Sequence, residues 1–161
     1  PNLNVRSSTS LENQAYSTPA PLAFLAARLA GIDSQSIVYE PTAGNGMLLI
    51  TANPKNVKAN EINNDRFSGL ESQGFDVTSK DATTYAPDAK DFTSVIMNPP
   101  FGSLDTAVKV DGFTIKKLDH LIAVKALEVM DNRGQSVMII GASIDAGVIS
   151  SGDKVLHGLY A

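Results

Sequence analysis

The chain has 161 residues with 43% apolar and 19% charged side chains, a composition typical of one soluble globular domain with a single core. It lacks cysteine, which excludes disulfides and thiolate metal sites, and its two histidines lie far apart, so no metal site is predicted. No apolar run approaches the ~20 residues of a membrane span and no signal peptide is visible. A cytoplasmic protein without a membrane partner is therefore expected.

The net charge of −4 does not suit a free-standing nucleic-acid binder, which normally carries a basic face. Residues 1–15 lack a periodic apolar pattern and are predicted to form a flexible arm in front of a folded domain at residues 16–161. The first residue is proline, so the chain is expected to be processed or cut from something longer.

The first regular element is a helix that is predicted after Tyr16. Ser17 and Thr18 can cap a first turn that tolerates two prolines, and Gly31 ends the pattern. The apolar residues that fall on one face of this helix are Leu22, Leu25, Ala26 and Leu29. Such a face predicts an amphipathic helix that covers a sheet.

A strand and a glycine-rich turn come next. Residues 36–39 favour a strand, which leads into the sequence Glu-Pro-Thr-Ala-Gly-Asn-Gly at positions 40–46 and then into an apolar helix start at 47–50. Glycines let the backbone approach a ligand, and a helix start presents unpaired N–H groups. The turn lacks the third glycine of the dinucleotide fingerprint. Gly-x-Gly alone is a weak signal, but the strand–turn–helix context favours a ligand site.

Two acidic residues follow the next two predicted strands. Residues 57–62 indicate a second strand that ends at Glu61, roughly 20 residues after the glycine turn, where a carboxylate can accept both ribose hydroxyls of an adenine nucleoside. A helix is predicted at 63–73 and a third strand at 74–78, after which comes Asp81. Asp81 can also be an ordinary turn residue, because two threonines follow it.

The sharpest feature is the sequence Asn98-Pro99-Pro100-Phe101 after a predicted buried strand at 92–97. Two prolines have no N–H for a ladder, so the strand must end there. In an open parallel sheet, ligands bind beyond the carboxyl ends of the strands. The Asn98 amide and the Pro99 carbonyl offer two hydrogen-bond acceptors, and Phe101 offers a ring for stacking. Such a set suits a planar base with an exocyclic amine. Asn-Pro-Pro alone more often marks only a turn; Phe101 and the glycine turn favour a site.

The rest of the chain completes the predicted sheet. Residues 102–117 show mixed charges and little periodicity, which predicts a mobile lid or a loop at the substrate edge. Residues 118–130 are spaced as a helix, and residues 136–141 form an apolar fifth strand. The alternation predicts an α/β fold: a doubly wound, mostly parallel sheet in the order 3-2-1-4-5.

Together these motifs resemble those of the class I amino-methyltransferases that use S-adenosylmethionine (SAM), above all the N6-adenine DNA methyltransferases, whose hallmark is (D/N/S)PP(Y/F). The resemblance covers about residues 16–141 and implies their Rossmann-like fold. The family usually adds two strands beyond the fifth, and residues 142–161 leave little room, so these strands are expected to be missing or shortened. Similar short domains occur in large phage- or plasmid-type methylase–helicase polypeptides, where this chain is expected to belong.

The resemblance also implies a set of site residues. The Thr-Pro segment and the glycine turn would contact the methionine end of SAM, with Glu40 fixing nearby donors. Glu61 would accept the ribose hydroxyls, Ile62 would pack on the adenine ring, and Asp81 with Ala82 would receive the adenine edge. The implied cofactor-binding residues are Tyr16, Thr18, Pro19, Glu40, Pro41, Gly44, Gly46, Glu61, Ile62, Asp81, Ala82 and Asn98. The implied catalytic residues are Asn98, Pro99, Pro100 and Phe101.

The implied reaction transfers a methyl group from SAM to an exocyclic amine, foremost N6 of an adenine flipped out of DNA. Because the chain is short and acidic, DNA recognition and completion of the open sheet edge are expected from further domains or a partner chain. Protein glutamine and RNA-base amines are alternative substrates, since they are also planar amides or amines. A non-catalytic SAM-fold module is a further alternative; the missing strands favour it, and the intact motifs count against it.

Overall fold

The computed structural model describes residues 17–139. Five strands form one sheet: β1 Val38–Glu40, β2 Val57–Asn60, β3 Asp76–Thr78, β4 Phe92–Met97 and β7 Met130–Met138. Neighbouring strands in this sheet are parallel, and their order is β3-β2-β1-β4-β7. Two other strands, β5 Ser103–Val110 and β6 Phe113–Lys117, form a separate antiparallel pair. The predicted order 3-2-1-4-5 is confirmed, with β7 in the fifth place.

Helices cover both faces of the main sheet: α1 Ala20–Leu29, α2 Asn64–Ser72 and α3 Leu118–Leu127. Side chains alternate along a strand, so Val38 packs in a cluster with α1 and with Leu70 of α2, whereas Tyr39 packs in a second cluster with Ala123 of α3. The predicted doubly wound arrangement is therefore confirmed. The helix predicted after the glycine turn is only a short 3-10 turn, Met47–Leu49, and a second such turn, Pro54–Asn56, precedes β2.

Helix α1 packs through alanines, which corrects the predicted buried face. The alanines that face the core are Ala23, Ala26, Ala27 and Ala30. Leu22, Leu25 and Leu29 were expected to cover the sheet, yet they are 44%, 54% and 65% exposed. Alanines let the helix axis approach the sheet closely, and this close approach turns the leucines onto the flank of the helix.

The stretch predicted as a loop at residues 102–117 is a β-hairpin. Its tip, Asp111-Gly112, has positive φ at both residues (48° and 85°), as in the two-residue type I′ turn. The base is closed by a hydrogen bond of 2.9 Å from the Leu118 N–H to the Gly102 carbonyl. Leu104, Val108 and Val110 share one face of β5, while Ser103, Asp105 and Lys109 lie on the other; this partial alternation and the Asp-Gly turn predict a hairpin.

Strand β7 begins six residues earlier than the predicted fifth strand. Met130, predicted as the last residue of the preceding helix, instead begins a segment that pairs irregularly with β4, where the register jumps between Phe92↔Met130 and Ser94↔Gln135. Gly134 fits this irregular segment because a Cβ there would lie 3.1 Å from the Phe92 carbonyl oxygen. Gly134 therefore belongs to a bulge in β7 and does not end a helix.

Several expectations lie outside the described residues. They are the arm at 1–15, the contact of Tyr16 with the cofactor, the end of the fifth strand at 140–141, and the missing or shortened strands after it. Within residues 17–139, no helix is long and apolar enough to span a bilayer. The same residues contain no group of three or more His, Cys, Asp or Glu side chains that could hold a metal ion.

Candidate active site

The turns after β1, β2, β3 and β4 meet around one cavity of about 280 Å³ at the carboxyl ends of the strands. Eight of the residues implied by the sequence line it: Pro41, Gly44, Glu61, Ile62, Asp81, Ala82, Asn98 and Pro100. A cavity of about 530 Å³ lies at the opposite ends of the strands, next to residues such as Ile37, Lys55 and Asp91, and contains none of them. The parallel sheet thus brings turns separated by up to 59 positions to one edge.

The glycine turn uses its two glycines differently. Gly44 has φ +58° and faces the cavity, where the nearest neighbour of an added Cβ would be Nη1 of Arg66 at 3.7 Å. Gly46 has φ +78°, and an added Cβ would lie 3.0 Å from Leu70 and 3.3 Å from Phe75. Gly44 therefore permits a ligand to approach the backbone, whereas Gly46 lets the turn pack on the core and does not line the cavity.

Glu61 ties the second strand to the glycine turn. Its Oε2 accepts the Gly44 N–H at 2.7 Å, and its Oε1 accepts the Asn63 N–H at 2.8 Å. Glu61 is buried and lines the cavity. An ionised carboxylate has about four acceptor positions, so two are left for ligand hydroxyls while the other two fix the turn.

Asn60, which the sequence reasoning did not single out, holds the neighbouring turns together. Its buried Nδ2 donates to the carbonyls of Pro41 at 3.0 Å and Lys80 at 2.9 Å. Its Oδ1 accepts from the Lys80 N–H and the Thr78 hydroxyl, both at 3.0 Å. The sequence signal for this role is a polar amide at the end of a buried strand, because a buried amide needs hydrogen-bond partners.

Asp81 forms a turn at the wall of the cavity. Its Oδ1 accepts from the N–H and the hydroxyl of Thr83, at 2.9 and 2.7 Å, which is the ordinary aspartate turn. It also lines the cavity beside Ala82, which is buried. Lys80 and Arg66 line the same region, so charges of both signs surround the cavity.

Glu40 lies beneath the glycine turn and is 1% exposed. Burial raises the pKa of its carboxyl well above the ordinary value, and the charge of Glu61 raises it further. Among the described residues, no hydrogen-bond partner reaches Glu40 Oε2 or the buried Thr42 hydroxyl. Both residues line a small cavity of about 20 Å³ that also meets Thr18, Gly44 and Asn98. A buried acceptor without a partner is the kind of group that a ligand donor satisfies.

The Asn-Pro-Pro-Phe turn leaves β4 at the rim of the main cavity. Asn98 lines both cavities, and Pro100 lines the larger one. Pro99 is buried and Phe101 is 39% exposed, and neither side chain lines the cavity. The Phe101 ring is therefore partly exposed and is not part of the cavity wall.

The segment before α1 contacts the site through side chains rather than capping the helix. Asn98 Nδ2 donates to the Thr18 hydroxyl oxygen at 3.1 Å, and Asn45 Nδ2 donates to the Ser17 hydroxyl oxygen at 2.7 Å. The N-cap residue is Pro19, without a side-chain cap bond, so the predicted capping by Ser17 and Thr18 is wrong. Pro19 is exposed and lines neither of the two site cavities.

Comparisons place this arrangement among known folds. No protein-family model and no curated protein matches the sequence. A solved rRNA methylase from Streptococcus thermophilus superposes with a TM-score of 0.55 at 14% identity, covering 89% of this chain and 82% of its own. The chain has the Rossmann-like fold of the class I methyltransferases.

Two further methyltransferase-fold structures agree. TrmN from Thermus thermophilus has a TM-score of 0.55 at 17% identity, with 86% of this chain and 44% of TrmN covered. Coclaurine N-methyltransferase bound to N-methylheliamine and SAH has a TM-score of 0.55 at 16% identity, with coverages of 83% and 38%. The chain therefore spans less than half the length of these two proteins. At such identities the likeness is one of fold.

Within this methyltransferase fold, the sequence-derived site residues separate into three groups. Most of them line the main cavity. Thr18 and Glu40 line the small cavity, which shares Asn98 with the main one. Gly46, Pro19, Pro99 and Phe101 lie nearby without lining either cavity. Tyr16 lies outside the described residues.

Proposed function

We propose that this chain is a SAM-dependent methyltransferase that modifies an exocyclic amine, most specifically N6 of adenine in DNA. The observation that carries the proposal is the convergence of the glycine turn, the buried Glu61, and Asn98 with Pro100 of the Asn-Pro-Pro-Phe turn on one cavity at the carboxyl edge of a class I methyltransferase fold. The neighbours whose names specify methylation of rRNA or of an amine are consistent with this reaction class.

The residues present fit SAM. Gly44 leaves the backbone open to the cavity, and Glu61 has acceptor positions to spare for ribose hydroxyls. Glu40 supplies a buried carboxyl oxygen that no described group satisfies, which suits a polar group of a ligand. Ile62 is exposed at the cavity wall and offers an apolar contact for a ring, with Asp81 and Ala82 on the other side.

When bound, SAM supplies an electrophilic methyl group on a sulfonium centre. The chain supplies the acceptors for the amine: Oδ1 of Asn98, whose Nδ2 is bonded to the Thr18 hydroxyl, and the carbonyl of Pro99. Holding both N–H groups of the amine frees its lone pair from the ring and aims it at the donor. Catalysis then rests on positioning and on acceptors placed where positive charge develops, with no group of tuned pKa required.

Phe101, exposed at the rim, would stack on the base, and the hairpin of β5 and β6 would lie along the substrate. Target recognition and the bulk of the phosphate contacts would come from further domains or a partner chain, because this chain carries a net charge of −4. The same chain or domain would cover β7, an edge strand within the described sheet. Location in the cytoplasm follows as part of the proposal.

The first experiment is titration of the chain with SAM by calorimetry, on the wild type and on Gly44→Val and Glu61→Ala. Saturable binding that both changes weaken supports the cofactor site; Glu71→Ala, an exposed change on α2, is the matched control. Methyl transfer is then assayed on single-stranded DNA, RNA and a glutamine peptide. Transfer to adenine in DNA alone supports the specific proposal, whereas saturable binding without transfer to any substrate points to a non-catalytic SAM module. Absence of saturable binding contradicts the proposal.

A further inference from the structure

Thr18 and Asn98 are 80 positions apart, and a hydrogen bond joins them. Asn98 Nδ2 donates to Thr18 Oγ1 at 3.1 Å, and Thr18 is buried at the edge of the site. A primary amide can present either its oxygen or its NH₂ group to a site, and the two ends have opposite hydrogen-bonding character. In the structure the Thr18 hydroxyl accepts from the nitrogen, so Nδ2 is the end of the amide that is bonded to Thr18 and Oδ1 is the other end.

The local sequence removes the usual competitor for the amide oxygen. An asparagine side chain commonly accepts from the backbone N–H two residues further on. Here that residue is Pro100, and Pro99 also lacks an N–H. Neither proline can donate to Asn98 Oδ1, and the Thr18 hydroxyl takes the nitrogen.

The same segment is also tied to the glycine turn. Ser17 accepts from Asn45 Nδ2 at 2.7 Å, so adjacent hydroxyls contact the turn after β1 and the turn after β4. These two turns carry the proposed cofactor and substrate contacts. The segment thus fixes one turn relative to the other.

We propose that Thr18 is a positioning residue that holds the Asn98 amide with Oδ1 toward the substrate amine. The proposal rests on the proposed function, since it explains how Asn98 presents an acceptor. Without the Thr18 hydroxyl, the Asn98 amide rotates by about 180° in a fraction of the molecules. Its NH₂ group then faces the substrate amine, which needs an acceptor.

The first test compares Thr18→Val, which keeps the shape and removes the hydroxyl, with Thr18→Ser, which keeps the hydroxyl. We expect kcat for methyl transfer to fall about tenfold in Thr18→Val, with KM for the substrate changed less than twofold, and to recover in Thr18→Ser. Thr93→Val is the matched control, because Thr93 also makes hydroxyl hydrogen bonds but at the opposite end of β4. Equal kcat in Thr18→Val and wild type would overturn the proposal.

A second test separates orientation from any contact of Thr18 with SAM. In Asn98→Asp, both oxygens are acceptors, so a carboxylate has no wrong orientation. We expect the Thr18→Val change to lower kcat less than twofold in this background. A tenfold loss in both backgrounds would show that Thr18 acts in another way.

A third measurement does not depend on activity. Heteronuclear NMR of the labelled chain reports the side-chain NH₂ of Asn98, which should exchange with solvent several-fold faster in Thr18→Val than in the wild type or in Thr18→Ser. Unchanged exchange contradicts the positioning role. If the exchange changes as expected while the wild type methylates no amine, the proposed function fails and the Thr18–Asn98 contact stands.

Discussion

Gly44 donates its backbone N–H to Oε2 of Glu61 across 2.7 Å, and this bond couples the turn after β1 to the end of β2. Two bonds to backbone N–H groups, from Gly44 and Asn63, use both oxygens of one buried carboxylate. Glu61, proposed to bind the ribose of SAM, thus also fixes the glycine turn, which is proposed to contact the methionine end of SAM.

Glu61→Gln should weaken both the binding of the ribose and the attachment of the glycine turn to β2. Glutamine has one acceptor oxygen, so either Gly44 or Asn63 would face an NH₂ group in place of an acceptor. Loss of a charge-assisted bond is worth about 1.5–3 kcal/mol, so we expect the free energy of unfolding to fall by about that amount. Urea denaturation measures this change, and calorimetry with SAM should show weaker binding. Glu71→Gln, exposed on α2, should alter neither quantity.

Glu40→Gln should stabilise the chain increasingly as the pH rises. Burial raises the folded-state pKa of Glu40, so above the ordinary value of 4.5 the unfolded chain has lost a proton that the folded chain keeps. The contribution of Glu40 to stability is therefore complete at low pH and is lost as the pH rises toward the folded-state pKa. Unfolding free energies measured from about pH 5 to pH 8 should show a widening advantage of the variant. Parallel curves for the two chains would contradict a raised folded-state pKa of Glu40.

Gly46→Ala and Gly44→Ala should separate folding from binding. Both glycines have positive φ, where an alanine costs about 1–2 kcal/mol. At Gly46 the new Cβ would also press on Leu70 at 3.0 Å, so Gly46→Ala should lower the unfolding free energy more. At Gly44 the Cβ would point toward open cavity, so Gly44→Ala should weaken SAM binding more. Thermal unfolding and calorimetry test both orders, and a reversed ranking would contradict the division of roles.

Asn98→Ala should abolish methyl transfer while SAM binding stays nearly intact. Removing one acceptor for developing charge typically lowers kcat by ~100-fold or more. The measurement is single-turnover transfer from labelled SAM, with SAM affinity determined in parallel. Asn56→Ala removes an amide hydrogen bond near the amino end of β2 and should leave transfer unchanged. Equal losses of binding and transfer in Asn98→Ala would assign Asn98 a structural role.

Gly112→Val should impair substrate use without affecting the main sheet. Gly112 has φ +85° in the Asp-Gly turn, a conformation that a β-branched residue rarely adopts. Amides of β5 and β6 should lose hydrogen-exchange protection while those of β4 keep theirs. Because Gly102 joins this hairpin to Phe101, kcat/KM for DNA should fall with SAM affinity unchanged. Gly69→Ala, with open space around the new Cβ, is the control. Unchanged kcat/KM would place the hairpin away from the substrate.

The order of the main sheet could be predicted from local pattern. Short apolar runs that end at Glu40, Glu61 and Asn98 alternate with helical segments, and parallel connection rules leave few ways to arrange them. The mixed charges of residues 102–117 favour a loop, whereas the partial alternation in β5 and the Asp-Gly turn favour the hairpin that the structure contains. Strand β7 began early because pairing with β4 outweighed the turn-like sequence at 130–134.

The sequence by itself determined which strand ends the candidate site residues follow, because proline, glycine and isolated acids act through local geometry. Only the tertiary structure decided how these residues divide their hydrogen bonds: Glu61 between Gly44 and Asn63, and Asn98 toward Thr18. It also decided that α1 buries alanines rather than leucines. These outcomes depend on distances between segments far apart in the chain, which no local pattern encodes.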